Sequence, residues 1–197
     1  MSDPETLAVY ARRAQDYARL TDGANTADPC LKAFIAALPP GSHALDLGCG
    51  PGAAAAQMAQ AGLVVDAYDP VPEMVGMAKV HAGVTAHLAT FHDLHARDHY
   101  DGIWANFSLL HAPRDELPDI LDRIVKALKP GGRFHIAVKT GTGARRDTLG
   151  RLYTYFTESE LIDLLITAGL QITDKHEGCD AGLSGEEAPW IALAAHA

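Results

Sequence analysis

Hydrophobic positions along this chain follow two periods in turn. Leu7, Tyr10, Ala14 and Tyr17 recur at helical spacing behind Asp3-Pro4, which pairs an N-cap with a proline at the first helical position. Asp28-Pro29 repeats that start, and Leu31, Phe34, Ile35 and Leu38 form a second stripe ended by Pro39-Pro40-Gly41. From residue 43 short apolar strands alternate with helices. Strands are predicted at 43–47, 64–68, 84–88, 100–105 and 133–138. An alanine-rich helix over 53–61 stops at Gly62, and another helix carries Met74 and Met77. Leu117, Ile120, Leu121, Ile124, Val125 and Leu128 form the strongest helical stripe, ended by Pro130-Gly131-Gly132. Thr157 to Glu160 reads as a capping box opening a helix through Leu161, Leu164 and Leu165, closed by Gly169. Residues 170–175 and 190–195 are two last strands with no helix between them, so they should pair antiparallel at one edge. Residues 139–155 read as a loop.

Strand–helix alternation predicts an α/β fold, a doubly wound and mostly parallel sheet with helices on both faces. A chain of 197 residues with 48% hydrophobic content fits one domain, residues 1–197. Residues 1–40 should lie as helices over a ligand cleft, and 41–197 should form the core. The net charge of -9 argues against nucleic acid as partner. The first residues lack a basic stretch followed by an apolar run, and no segment reads as a membrane span. Cys30, Cys49 and Cys179 are scattered and form no disulfide framework, which suits a reducing cytoplasm. His92, His95 and His99 would share a helical face, but they fall in a connection after the third strand, so no metal is expected.

The segment from Ala44 to Gly52, where a strand meets a helix, carries the chemistry. Its spacing Gly48, Gly50, Ala53, with Asp69 ending the second strand, satisfies the dinucleotide fingerprint. Asp46, two residues before the first glycine, disfavours a pyrophosphate at the helix start and suits a ligand with an ammonium group. S-adenosylmethionine has an ammonium and a sulfonium, and no phosphate.

Asp46-Leu47-Gly48-Cys49-Gly50-Pro51-Gly52 resembles the first motif of class I S-adenosylmethionine-dependent methyltransferases. Asp69-Pro70, Tyr100 to Ala105 and Leu128 to Gly132 follow in the family's order. The resemblance spans roughly residues 5 to 195 and implies a Rossmann-like, seven-stranded sheet with an antiparallel last strand. It implies that Gly48, Gly50 and Gly52 line the methionine part of the cofactor, with Cys49 in the same loop and Asp46 near the amino group. Asp69 would take both ribose hydroxyls, with Pro70 and Met74 beside the adenine. Thr90, followed by Phe91, stands where relatives carry an adenine-binding acid. Asn106 and Phe107 would flank the methionine moiety. Ser108 to Leu117 resembles a subgroup of small bacterial methyltransferases of tellurite-resistance-like type.

In-line displacement from a sulfonium needs alignment and, for a protonated acceptor, a base. His111, following the fourth strand, is the candidate catalytic base and an acceptor-binding residue. Tyr10 and Tyr17 are candidates to close over the cofactor. Lys139, Arg145, Arg146, Arg151 and Tyr153 mark a basic specificity region that suits a small anionic acceptor. The expected partner is thus a small-molecule methyl acceptor, with the protein a monomer or homodimer. Two other functions share these features: an NAD(P)-dependent oxidoreductase on the same glycine loop, and a non-catalytic S-adenosylmethionine-binding regulator.

Overall fold

The computed structural model describes residues 3–197, with residues 22–27 as helix backbone only. Three helices come first: α1 (Pro4–Arg12), α2 (Ala14–Ala27) and α3 (Pro29–Ala36). Asp3 and Asp28 cap α1 and α3 as their Asp-Pro starts predict. The apolar stripe from Leu7 to Tyr17 is not one helix. The chain breaks at Arg13, and the two halves still present Tyr10, Ala14 and Tyr17 to Val71 and Met74.

Seven strands build the main sheet: β1 (His43–Leu47), β2 (Val64–Asp69), β3 (Val84–Leu88), β4 (Tyr100–Asn106), β5 (Leu128–Lys139), β8 (Gln171–Ala181) and β9 (Glu187–His196). Two short strands, β6 (Ala144–Arg146) and β7 (Leu152–Thr154), form a separate hairpin. The order is β3-β2-β1-β4-β5-β9-β8, with β9 antiparallel to both neighbours and the rest parallel. The fold is therefore the Rossmann-like, seven-stranded α/β sheet expected, with its last strand antiparallel. Strand order reverses between β1 and β4, so a crevice opens at their carboxyl ends.

Helices cover both faces. The helices α6 (Leu117–Ala127) and α7 (Glu158–Thr167) bury Leu117, Ile120, Leu121, Ile124, Leu161 and Leu165 on one side. Each such side chain contributes about 1.5–3 kcal/mol by leaving water. On the other face α3, α4 (Ala53–Gln60) and α5 (Pro72–Ala78) enclose Leu31, Phe34, Met58, Val75 and Trp104.

Three stretches of the sheet region differ from the sequence expectation. The segment 139–155 is not a plain loop but holds the β6–β7 hairpin, whose Ala144, Arg145 and Arg146 are all exposed. The exposed β6 carries no apolar alternation to read, and the buried Tyr153 and Thr154 of β7 are too few to set a period. β8 and β9 run well past their apolar parts, because the hairpin extends through backbone pairing out to Ala181 and Glu187. β5 begins at Leu128, with Pro130-Gly131-Gly132 arching where the register on β4 shifts.

Candidate active site

The loop after β1 is shaped by close approach. Gly48 has φ 82°, and a Cβ there would lie 2.3 Å from the Cβ of Ser108. Ser108 in turn donates to the Leu47 carbonyl at 2.6 Å, locking the ends of β1 and β4 together. The amides of Gly48 and Cys49 both donate to the Tyr68 carbonyl (2.8 and 2.9 Å), tying the loop to β2. Two buried carboxylates flank it. Asp46 accepts from the Ala55 amide in the first turn of α4 at 3.1 Å. Asp69 accepts from the amides of Gly50 and Val71, both at 2.9 Å.

Burial pushes Asp46 up to about 7 and Asp69 up to about 6, against the pull of their backbone donors. Among the described residues no lysine or arginine pairs with either. A ligand bringing an ammonium and hydroxyl donors would relieve both, which is the donor set of an adenosyl amino acid. The capped α4 start, with a carboxylate on it, is a poor seat for a pyrophosphate.

Tyr10 and Tyr17 stand over this loop from α1 and α2, edge to face with ring centroids 5.3 Å apart. They divide the crevice. On one side is a cavity of about 740 Å³ whose walls include Asp46, Gly48, Cys49, Asn106, Phe107 and Trp190. Lys139, Arg151 and Tyr153 also reach it. On the other is a compartment of about 60 Å³ containing Gly50, Asp69, Pro70, Met74, Phe91 and His111. Tyr10, Tyr17, Gly48 and Phe107 border both. Phe107 holds φ 52°, a strained value for a bulky side chain at a ligand wall.

Tyr10 anchors a buried polar chain. The His111 Nδ1–H donates to the Leu152 carbonyl at 2.8 Å, so its Nε2 lone pair accepts the Tyr10 hydroxyl proton at 2.9 Å. The Tyr10 oxygen accepts from the Arg151 guanidinium at 3.0 Å. Arg151 is fully buried and pairs with Asp147 at 2.7 Å. Burial pushes His111 down to about 4. Its basic lone pair is engaged by Tyr10, and it borders the small compartment rather than the large one. His111, expected as candidate base and acceptor-binding residue, thus has its lone pair taken by Tyr10 and lines the compartment that holds Asp69. His135 is a second buried neutral imidazole, pushed down to about 3; it stacks on Trp104 at 3.6 Å and donates to the Asn106 Oδ1 at 3.1 Å.

Some expected residues are placed elsewhere. Gly52 starts α4 with φ 84°, packed on Ala78, and lines neither compartment. Thr90 donates its hydroxyl to Asp93 at 2.7 Å and also lies outside both. Arg145 stacks on the Tyr155 ring at 3.9 Å. Arg146 grips Asp3 at 2.8 Å and Glu5 at 3.3 Å, fastening the start of α1 to the β6–β7 hairpin. The basic cluster suggested for acceptor recognition is not assembled in the cavity; Lys139 and Arg151 reach it, while Arg145 and Arg146 do not. Cys49 is buried and its thiol is pushed up by that burial, so it is a wall and not a nucleophile. His92 pairs with Glu116, His95 with Arg123, and His99 stacks edgewise on His43, so these three imidazoles have separate partners. Sequence reasoning passed over Trp190 as a site residue and read Arg151 as part of a basic specificity loop, where the structure pairs it internally with Asp147. The Asp147-x-x-x-Arg151 spacing across Gly150 was the available sign of an internal pair.

Comparison with known proteins agrees with this geometry. Residues 44–132 match the family model of a methyltransferase domain. The ubiquinone biosynthesis O-methyltransferase of Xanthomonas campestris pv. campestris is 31% identical over 157 residues, covering 68% of this chain and 65% of that protein. The corresponding protein of Xanthomonas axonopodis pv. citri is 28% identical over 158 residues, covering 69% and 65%. The chain thus spans just under two thirds of the length of these curated relatives. Among solved structures, the 1,6-didemethyltoxoflavin-N1-methyltransferase of Burkholderia thailandensis, with bound 1,6-didemethyltoxoflavin and S-adenosylhomocysteine, superposes with a TM-score of 0.72 at 26% identity. The match covers 100% of this chain and 91% of that one. A Methanosarcina mazei S-adenosylmethionine-dependent methyltransferase shares the fold, with a TM-score of 0.74 at 19% identity over 86% of this chain and 97% of that one. Residues 44–132 thus match a methyltransferase domain, and along its whole length the chain has the fold of, and is similar to, a solved methyltransferase with S-adenosylhomocysteine bound.

Proposed function

We propose that the protein transfers a methyl group in line to a small organic acceptor held in the large cavity. The observation that carries this reading is the placement of that cavity. Its floor is Asp46, Gly48 and Asn106 at the switch in strand order, and about 740 Å³ lies open beyond them. A volume in that range suits a small-molecule ligand. Bound S-adenosylmethionine supplies the activated methyl group. Asp46 would hold its ammonium and Asp69 its ribose hydroxyls, while Pro70, Met74 and Phe91 would enclose the adenine. Tyr10 and Tyr17 exclude water from above. Aligning two reactants in this way is worth roughly 7 kcal/mol of barrier.

His111 serves in this reading as a positioning residue: it fixes the Tyr10 hydroxyl between itself and Arg151. The setting is the cytoplasm, where unpaired cysteines persist. The Burkholderia N1-methyltransferase, solved with 1,6-didemethyltoxoflavin bound, and the Xanthomonas O-methyltransferase of ubiquinone biosynthesis support the acceptor class. Calorimetry with S-adenosylhomocysteine and with NADH tests the cofactor, and a metabolite screen read by S-adenosylhomocysteine release tests turnover. Binding of the first ligand and not the second, followed by turnover, is the expected result. Uptake of NADH in place of S-adenosylhomocysteine would overturn the reading, and cofactor binding without turnover across the screen would favour a regulatory binder.

A further inference from the structure

One wall of the large cavity is the Trp190 indole, fixed on three sides; the Trp104 indole also lines the cavity but is stacked on His135. Trp190 on β9 pairs in register with Gly178 on β8. A Cβ at Gly178 would lie 2.4 Å from the indole Cζ2, so the ring lies across a position that only glycine leaves bare. The indole N–H donates to Asp180 at 2.7 Å. The indole stands at 90° to the Phe107 ring with centroids 6.0 Å apart. With the face over Gly178 covered and the N–H engaged, the indole is held in place where it lines the cavity. Tyr153, capped by the Lys139 ammonium at 4.2 Å, adds a second aromatic wall.

The charges around this wall discriminate. Leaving out Asp46, which the cofactor's ammonium would engage, the described lining residues Asp28, Glu177 and Asp180 stand against Lys139 and Arg151. Arg151 is held by Asp147, and Lys139 lies over Tyr153. No bidentate fork is left for a carboxylate or phosphate.

We propose that the methyl acceptor is a flat, uncharged aromatic or heteroaromatic molecule that stacks on Trp190, with Gly178 and Asp180 holding the indole for it. This rests on the methyl-transfer reading above. A rigid π-face fixed before binding loses little entropy when a planar ligand arrives, and an acidic rim repels anions.

The test uses the full chain saturated with S-adenosylhomocysteine, with catechol and 8-hydroxyquinoline as planar probes. Both should quench tryptophan emission saturably, and Trp190→Leu should abolish most of that quenching, since Trp104 also lines the cavity but is buried and stacked on His135. Trp190→Leu and Gly178→Val should each weaken probe binding about tenfold by calorimetry, the scale of one aromatic stacking contact. Their affinity for S-adenosylhomocysteine should match that of the unaltered protein, which also verifies folding. The anionic analogue 3,4-dihydroxybenzoate should bind markedly more weakly than catechol. Undiminished probe binding by Trp190→Leu, absence of saturable quenching, or preference for 3,4-dihydroxybenzoate would each overturn the proposal. Failure of S-adenosylhomocysteine itself to bind would instead overturn the cofactor reading beneath it.

Discussion

Tyr10 joins three parts of the chain that are distant in sequence. Its hydroxyl links His111, which follows β4, to Arg151 beside β7, and its ring borders both compartments. Tyr10→Phe keeps the ring and removes one acceptor and one donor. That leaves a buried imidazole lone pair and a guanidinium N–H without their partner, at about 1–3 kcal/mol each. We therefore expect a loss of at least about 1 kcal/mol in urea unfolding, together with a lower kcat. A stability equal to wild type would show that water replaces the hydroxyl at no cost. At this scale the glycines and the acids Asp46 and Asp69 were legible in the sequence, because turn chemistry and strand ends are local features. The engagement of the His111 lone pair was not, because its partner lies 101 residues away.

Helix α1 and the β6–β7 hairpin act as one clasp over the crevice. The Leu152 amide donates to the Thr6 hydroxyl at 2.8 Å, Arg146 grips Asp3, and Arg151 reaches Tyr10. Arg146 and Arg145 are occupied elsewhere than in the cavity: the first fastens a helix start and the second covers an aromatic ring. A protein carrying both Arg145→Gln and Arg146→Gln should keep its KM for any acceptor found by screening. A large rise in KM in steady-state assays would return those side chains to the acceptor site. Element identity was readable wherever burial imposed a period, as in α6 with its fully buried Leu117, Ile120 and Ile124. It was unreadable where backbone pairing alone builds the strand, as in β6 and the outer parts of β8 and β9.

Four buried groups shape the response of the whole molecule to pH. Asp46 and Asp69 rise from an ordinary value of 3.8 to about 7 and about 6, so the folded state holds their protons more tightly. The stability they contribute is complete below the ordinary carboxylate value and is lost as pH rises through those folded values. His111 and His135 fall from 6.5 to about 4 and about 3, and burial of the neutral ring is the main cause in both. Their contribution is present above 6.5 and is lost as pH falls toward those values. Between the ordinary carboxylate and imidazole values the two pairs oppose each other. Asp46→Asn removes one falling contribution while keeping an acceptor for the Ala55 amide. Its stability relative to wild type should improve by up to about 1.4 kcal/mol per pH unit from pH ~4 toward ~7. Urea titrations at several pH values would show this, and a constant offset between the two proteins would contradict it.

What the chain determined by itself was the order of strands and helices, the parallel α/β class and a glycine turn flanked by two acids. Those follow from hydrophobic period, capping and turn residues, all set by neighbours within a few positions. Tertiary structure alone decided that Tyr10, His111 and Arg151 would meet, that Arg145 and Arg146 would face away, and that Trp190 would lie across Gly178. These are encounters between side chains far apart in sequence, and their geometry exists only once the sheet order and the packing of its faces have brought them together.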